Sequence, residues 1–355
     1  MSARLAAALV LAAAASALAS PPGVEVSDGR YVMGTILAIT LEVEEPARGR
    51  ELLDRLYGAA HHLDQVLTLY DPESALSRLN ARAGHGPQAV DPELADLLAR
   101  SIGFSQRTGG SFDVSVGPLV SLWRAAAERG VAPTPAELER ARARVGSEGL
   151  RVLSDRSVEI VRAGASIDLG GVAKGYALDR LLEPLRAAGV ANALLDFGES
   201  SFWALGAPPG EDGWRLLVRR PDSGYAGVAT LRDRAVSVSE SLGQSLEIGG
   251  RRYGHVIDPR SGRPLESAAL AMVLAPTAAE AEALSKALLL LGEEAGLALL
   301  EAQPGCEGLL VLAGGRQAST RGWQAATRFE PEPPAGSRDR TTRLTSRPAP
   351  EQDRR

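Results

Sequence analysis

The chain has 355 residues, of which 45% are hydrophobic and 23% are charged, so it is long enough to form one large or two smaller globular domains. The net charge is −5 and the basic residues are scattered, which excludes the clustered basic surface of a nucleic-acid-binding protein. The single cysteine, Cys306, cannot form an intramolecular disulfide, and with the four histidines it shows no spacing typical of a structural zinc site.

The N-terminal segment has the pattern of a secretory signal. Arg4 precedes an apolar run over 5–18, which ends in the small-residue pattern at 17–19. We therefore expect residues 1–19 to be a cleavable signal peptide. An uncleaved anchor is the alternative, although the run is shorter than the roughly 20 residues that a membrane span needs. Together with the cysteine-poor, alanine- and arginine-rich composition, this predicts export to a bacterial periplasm.

Between the two ends, the apolar pattern switches between strand and helix periods, which predicts a mixed α/β or α+β architecture. The expected elements, in chain order, begin with a strand over Tyr31–Leu41, helices over 46–69 and 91–108, a short helix that opens at the capping box 134–137, and a hairpin over 150–160 turning at Asp155-Arg156. They continue with a helix over 172–188, short β-rich runs over 192–256, a helix over 277–291 that ends before Gly292, and a last strand over 308–312. We expect a folded region of about 25–330, with residues 20–28 and the tail 331–355 lacking fixed structure.

The stretch from Ile167 to Ala177 places two glycines, Gly170 and Gly171, between a strand end and a helix start. Glycines let a backbone approach an anion closely, helix-terminal N–H groups point towards it, and Lys174 supplies a positive charge. This pattern indicates a phosphate site, and an ordinary glycine turn is the alternative. The spacing matches neither a P-loop nor the dinucleotide-binding fingerprint.

Two further stretches carry residue types suited to chemistry. The run 253–262 places His255, Asp258 and an arginine around a turn, although a hydrogen-bonded core histidine is an alternative interpretation. The run 70–80 is a polar loop after a helix, and its aromatic residue Tyr70 could stack on a planar ring, whereas a simple capped loop is the alternative.

In this order, these segments resemble the ApbE family over nearly the whole folded region. The resemblance also includes Met33-Gly34-Thr35, the run 110–119 and the helical run 275–287. It implies a T-fold-like α+β fold, with a mixed or antiparallel sheet, flanking helices and FAD between the two halves. It implies an FAD:protein FMN transferase that cleaves the FAD pyrophosphate with Mg²⁺, attaches FMN to a Ser or Thr of an electron-transfer type of acceptor protein, and releases AMP.

The resemblance also implies roles for individual residues. The implied cofactor-binding residues are Met33, Tyr70, Asp113, Gly170, Gly171, Lys174, Ser239 and His255. The implied catalytic residues are His255, Asp258 and Lys286, and the implied metal ligands are the backbone carbonyl of Ala173 and the side chain of Glu282. Membrane contact is expected only through the acceptor protein or an uncleaved signal.

The sequence departs from the family at the metal ligands, where Glu282 and Lys286 stand in place of an Asp and a Thr. Glutamate can still bind a hard cation, but an ammonium group has no lone pair to donate, so the site is either modified or metal-free. Lys286 could replace the charge of the metal, or it could form an i,i+4 surface pair with Glu282 worth only ~0.3–0.5 kcal/mol. Glu199 and the run 239–241 are further departures. A catalytically silent periplasmic FAD-binding protein is therefore the alternative function.

Overall fold

The computed structural model describes residues 23–332 and shows an α+β fold built on one eight-stranded antiparallel sheet. The strands are β1 (Val24–Val32), β2 (Thr35–Val43), β3 (Gln88–Ala89), β4 (Leu150–Ser154), β5 (Ser157–Ile160), β6 (Ala193–Phe197), β7 (Ser201–Leu205), β8 (Trp214–Arg219), β9 (Tyr225–Leu231), β10 (Arg234–Glu240), β11 (Ser245–Ile248), β12 (Arg251–Gly254), β13 (Ala269–Ala275), β14 (Glu307–Leu312), β15 (Gln317–Ser319) and β16 (Glu330–Pro331). The large sheet has the order β1-β2-β6-β7-β10-β13-β14-β15.

Helices pack on both faces of this sheet. They are α1 (Pro46–Leu67), α2 (Ala75–Ala81), α3 (Pro92–Arg107), α4 (Gly117–Arg129), α5 (Pro135–Arg142), α6 (Ala173–Ala187), α7 (Ala278–Glu301) and α8 (Trp323–Thr327). Of these, α1 packs on β1 and β2, and α7 packs on β10 and β13. Among residues 23–332, no helix is both long and apolar enough to cross a membrane.

Strand β13 shows how the sheet separates two cores. Ala271 and Val273 face the cluster formed with α7, whereas Leu270 and Met272 face the cluster on the opposite side, which contains Trp323 of α8. All residues of β13 are buried, which is expected for a central strand covered on both faces. The small sheet β16-β9-β8 contributes to the core on the α8 side.

The first predicted strand is in fact a hairpin. Val32 pairs with Thr35, and the two-residue connection Met33-Gly34 has positive φ at both positions, 48° and 78°. Positive φ at both central residues is the requirement of a type I′ turn, the turn that suits the twist of antiparallel strands. The prediction of one strand over 31–41 was therefore wrong, and Met33 lies at a turn rather than within a strand.

The other expected helices and strands are found close to their predicted limits, but the polar loop predicted over 70–80 is helical from Ala75, where α2 begins after the capping residue Ser74. The Thr134–Glu137 capping box is present, and the hairpin β4–β5 turns where expected. The late helix is interrupted at Gly292, whose φ is 75°, but it resumes and continues to Glu301, which the sequence pattern did not predict. After β14, the predicted last strand, β15 forms the edge of the sheet.

The two chain ends need one correction each. Val24–Asp28 belongs to β1, so the expectation that residues 20–28 lack fixed structure is wrong for this part. Pro331, assigned to the tail, pairs with Gly227 of β9 in the short strand β16. The predicted signal peptide and the tail from residue 333 lie outside the described residues.

Helices α6 and α7 meet at a contact that orients the site. A Cβ added to Gly175 would lie 2.3 Å from the carbonyl oxygen of Ala278, so only glycine permits this approach. The carboxylate of Asp179 accepts hydrogen bonds from the backbone N–H groups of Ala278 and Ala279, at 2.7 and 3.0 Å. The start of α7 is therefore held against α6, which sets the helix that carries Glu282 and Lys286.

Candidate active site

A cavity of about 1410 Å³ opens between the β1–β2 turn, the loop after α1, the start of α6 and the side of α7. Its lining includes most of the residues singled out from the sequence, namely Met33, Tyr70, Asp113, Gly170, Gly171, Ala173, Lys174, Ser239, His255 and Lys286. Within the described chain, the other two residues singled out, Asp258 and Glu282, lie outside this lining set. The structure therefore brings together segments that are far apart in the sequence.

The glycine turn lies directly before α6. Asp168 Oδ1 accepts from the N–H of Gly170 at 2.8 Å, and the Leu169 carbonyl accepts from Ala173 at 2.9 Å, where the helix begins. A Cβ on Gly171 would lie 3.8 Å from Cε of Lys286, so the lysine side chain runs beside this turn. The turn thus forms part of the cavity wall, and the Lys286 side chain lies beside its glycines.

Two ammonium groups converge on the cavity. Lys174 donates a hydrogen bond to Ser200 Oγ at the β6–β7 turn. Burial lowers the pKa of Lys286 to about 8; Glu282 opposes this shift, and the positive charge of Lys174 adds to it. The lining as a whole carries six carboxyl groups against four Lys and Arg side chains, so the positive charge is local to the wall where Lys174 and Lys286 lie. At that wall it favours an anionic ligand.

Glu282 is almost fully buried, with 1% of its surface exposed. Its Oε1 accepts from Ser201 Oγ, and its Oε2 is a buried atom without a hydrogen-bond partner among residues 23–332. The i,i+4 surface ion pair with Lys286 that the sequence left open is therefore absent from the described structure. Its negative charge lies one helical turn before Lys286, on the protein side of the cavity.

Ser239 reaches the cavity from β10. Its hydroxyl lies 2.8 Å from Ser285 Oγ, which lies 3.1 Å from Ser237 Oγ. Ser285 also donates to the backbone carbonyl of Glu282 at 2.9 Å. This chain of hydroxyls connects β10 with α7 between Glu282 and Lys286, and so fixes the helix against the sheet.

His255 faces the cavity from the loop after β12. Its Nδ1 lies 3.1 Å from the backbone oxygen of Gln244. Because a carbonyl oxygen only accepts, Nδ1 carries the proton in this contact and Nε2 keeps its lone pair. Although the ring is exposed to the cavity, the surrounding protein removes part of its water. This desolvation, together with the charges of Lys286 and Lys174, lowers the pKa of His255. The neutral form is thereby favoured.

The two aspartates predicted for the site are both engaged by protein groups. Asp258 forms a bidentate pair with Arg260, at 2.9 and 3.0 Å, within its own turn. Asp113 is buried and accepts from Ser115, Ser105 and the backbone of Ser147 at 2.7–3.1 Å. Asp113 therefore shapes a loop at the cavity edge, and Asp258 shapes the loop that follows His255. Their roles in catalysis and cofactor binding stay predictions.

The mouth of the cavity carries apolar and aromatic side chains. Met33 is half-buried at the β1–β2 turn, and its N–H donates to Asp64 Oδ2 at 2.9 Å. Tyr70 is 86% exposed, and Tyr31, also on the lining, is 72% exposed. A planar ring entering the cavity would contact these side chains.

Asp196 is a lining residue that the sequence analysis missed. It is the penultimate residue of strand β6 and accepts from the N–H of Glu199 at 2.8 Å. Burial raises the pKa of Asp196 to about 6, and the charge of Lys174 opposes this rise. The only sequence signal was an aspartate near a strand end before Gly198, a pattern that does not show towards which face the carboxylate points.

Comparison with known proteins identifies the fold and the family. A sequence model of the ApbE family matches residues 33–310. The FAD:protein FMN transferase of Treponema pallidum is 31% identical over 317 residues, covering 84% of this chain and 87% of that protein. The corresponding protein of Salmonella typhimurium is 29% identical over 282 residues, covering 77% and 80%.

Two solved structures of ApbE proteins superimpose on most of this chain. The flavin transferase ApbE from Vibrio cholerae superimposes with a TM-score of 0.75 at 26% identity, covering 86% of this chain and 100% of that chain. The apo form of the Pseudomonas stutzeri flavinyl transferase ApbE gives 0.74 at 27% identity, covering 87% and 98%. The match includes the segments that form the cavity, and the chain belongs to the ApbE family.

Proposed function

We propose that the protein is an FAD:protein FMN transferase, which transfers FMN from FAD to a hydroxyl group of an acceptor protein and releases AMP. The observation that carries this proposal is the convergence of two lysines and a neutral histidine, Lys174, Lys286 and His255, on one large cavity. Relatives bearing that name match most of the chain.

The cavity suits a dinucleotide. Its volume of about 1410 Å³ exceeds the roughly 300–1,000 Å³ of pockets for smaller ligands. The isoalloxazine ring is assigned to the mouth beside Met33 and Tyr70, where apolar and aromatic surface is available. The pyrophosphate is assigned to the wall formed by Gly170, Gly171 and the two lysines, because that is where positive charge and open backbone meet.

The transfer step can be written on the residues present. The acceptor hydroxyl oxygen attacks the phosphorus of the FMN half, and a new P–O bond forms. The bond from that phosphorus to the bridging oxygen breaks, and its electron pair leaves with AMP. The hydroxyl proton goes to Nε2 of His255, whose tautomer is set by the Gln244 carbonyl. Lys174 and Lys286 stabilise the charge that develops on the phosphate oxygens.

Magnesium is implied by the family resemblance, but the residues at that position do not fit a magnesium site. Mg²⁺ requires oxygen ligands in near-octahedral geometry and retains several waters. Lys286 offers an ammonium group, which cannot donate an electron pair, so of the two side chains at this position only Glu282 can supply an oxygen ligand. Within 23–332, no three His, Cys, Asp or Glu side chains cluster as metal ligands. No step of the transfer is therefore assigned to a metal.

The acceptor and the compartment form part of the proposal. The predicted signal peptide supports export to a bacterial periplasm, where the acceptor would carry a Ser or Thr accessible to the cavity. An exported electron-transfer protein is the proposed acceptor class, because a covalently bound flavin is retained by a protein that works outside the cytoplasm.

The experiment combines the purified protein with FAD and a fragment of a candidate acceptor, with EDTA or with Mg²⁺. Flavin fluorescence of the acceptor band in a denaturing gel and release of AMP are the expected results. An acceptor with its Ser or Thr replaced by Ala is the control and should stay unlabelled. FAD binding without acceptor labelling or AMP release would instead identify a catalytically silent FAD-binding protein.

A further inference from the structure

The chain contains only two lysines, Lys174 and Lys286, among 39 basic residues, and both line the cavity. Arginine supplies the positive charge everywhere else in the sequence. The two side chains differ physically, because arginine presents a planar fork of donors whereas lysine is a compact charge on a flexible stem. Both of the compact lysine charges in this chain therefore lie on the cavity.

The two lysines reach the same wall from different helices. Lys174 lies in the first turn of α6 and contacts Ser200. Lys286 lies on α7, and its Cε is close to Gly171, three residues before Lys174. The charge of Lys174 contributes to lowering the pKa of Lys286, so the two ammonium groups repel each other, and a ligand with two negative charges would relieve the repulsion.

Glu282 lies on the protein side of the cavity wall and stabilises the charge of Lys286. It is outside the cavity lining, it is held by Ser201, and it lies one helical turn from Lys286. Its charge favours the ammonium form of Lys286, whose lowered pKa it opposes. Glu282 is a positioning residue for the charge of Lys286.

We propose that Lys174 and Lys286 together neutralise the pyrophosphate of FAD at the position where a divalent cation would otherwise bind, so that this protein binds FAD without magnesium. The pyrophosphate carries two negative charges, which the two ammonium groups match. The identity of the ligand rests on the proposed function, whereas the substitution of lysine charge for metal charge is a statement about this chain alone.

The direct test is a flavin fluorescence titration of the wild-type protein with FAD and with riboflavin, which has no phosphate, in EDTA and in Mg²⁺. We expect the FAD affinity to change less than twofold between EDTA and Mg²⁺. An FAD affinity that falls tenfold or more in EDTA and returns with Mg²⁺ would overturn the proposal.

Variants assign the effect to one side chain. Lys286→Met keeps the length and removes the charge, and it should weaken FAD binding about 10- to 100-fold, the usual cost of losing a charged contact. Riboflavin affinity should change less than twofold. Arg55→Met is the matched control, since Arg55 is exposed on α1 and lies outside the cavity lining, and it should change FAD affinity less than threefold. Equal losses in the two variants would mean that net charge, not Lys286, is responsible.

A second measurement needs no variant. With only two lysines, an amine-selective reagent followed by mass spectrometry reports on these two side chains and the N-terminus. In EDTA, FAD should slow the modification of both lysines at least tenfold, and riboflavin should not. Equal labelling with and without FAD would contradict the proposal. If FAD protects both lysines but no acceptor is ever labelled, the proposed function fails while the charge substitution stands.

Discussion

Gly175 of α6 and Ala278 of α7 approach so closely that a Cβ on the glycine would lie 2.3 Å from the alanine carbonyl oxygen. Gly175→Ala would normally stabilise a helix by roughly 0.5–1 kcal/mol. Here the added methyl group must push the helices apart, which costs about 1–3 kcal/mol. We expect Gly175→Ala to lower the free energy of unfolding and to weaken FAD binding, because α7 carries Lys286. Urea denaturation and FAD titration measure the two effects.

The control for this variant is Gly58→Ala. Gly58 lies within α1, and a Cβ there meets no atom within 4 Å. This substitution should raise the free energy of unfolding by roughly 0.5–1 kcal/mol and leave FAD affinity unchanged. A Gly175→Ala protein as stable as Gly58→Ala would show that the two helices separate without cost.

His255 should set the acid limb of the pH profile. Its pKa is lowered from 6.5, so the neutral imidazole persists as the pH falls, and it is lost only when the pH passes below the lowered value. For FMN transfer measured as kcat/KM, which reports the free enzyme, we therefore expect the acid limb to have its midpoint below pH 6.5. A midpoint above pH 7 would exclude neutral His255 as the base.

Replacement of His255 separates this role from binding. His255→Asn should reduce FMN transfer about 10²- to 10⁴-fold, the usual contribution of a general base, and should abolish the acid limb. FAD affinity should stay within about threefold of the wild type, since an amide can still donate to the Gln244 carbonyl. An acid limb unchanged in the variant would mean that another group takes the proton.

Tyr70 should act on the flavin ring and not on the phosphates. Tyr70→Ala removes an aromatic surface at the cavity mouth that is 86% exposed, so the fold should be unaffected. We expect FAD and riboflavin affinities to fall by the same factor, about 3- to 10-fold, as for the loss of one aromatic contact worth ~0.5–1.5 kcal/mol. Unchanged riboflavin affinity in a fluorescence titration would remove Tyr70 from the ring site.

The double substitution Glu282→Asp with Lys286→Thr places the family's ligand types on α7. It removes an ammonium group and supplies two oxygen-bearing side chains on one helix face, the ligands that Mg²⁺ prefers. We expect FAD cleavage by this variant to depend on Mg²⁺ at least tenfold more strongly than in the wild type, measured as AMP release with EDTA or Mg²⁺. Lys286→Thr alone is the control, and its FAD cleavage should gain less dependence on Mg²⁺ than that of the double variant.

Much of the secondary structure could be predicted because its signals are local. The capping residues Thr134 and Glu137 and the periodic apolar pattern of α7 act within one or two turns of helix. The turn at Met33 was missed, since a methionine with positive φ has no local sequence signal. Its conformation is imposed by the pairing of β1 with β2.

The composition of the site was predictable only through the family resemblance, and its geometry was not predictable. The family resemblance placed Glu282 among the metal ligands, and i,i+4 spacing placed it on the same helix face as Lys286. Whether that face meets solvent or a buried serine depends on the packing of α7 against β7, which brings Ser201 to the carboxylate. Asp196 was missed for the same reason, because the direction of its carboxylate also depends on packing.

The left-handed conformation of Met33 links the stability of the hairpin to its use. A methionine at φ 48° costs roughly 1 kcal/mol relative to a residue that tolerates this region, such as asparagine before glycine. Met33→Asn should therefore raise the melting temperature and at the same time remove the apolar contact that we propose for the flavin ring. The protein gives up some resistance to unfolding in order to hold a sulfur-containing side chain in a fixed place. Selection for thermal stability alone would accordingly be expected to replace this residue, at the expense of the affinity for the proposed ligand.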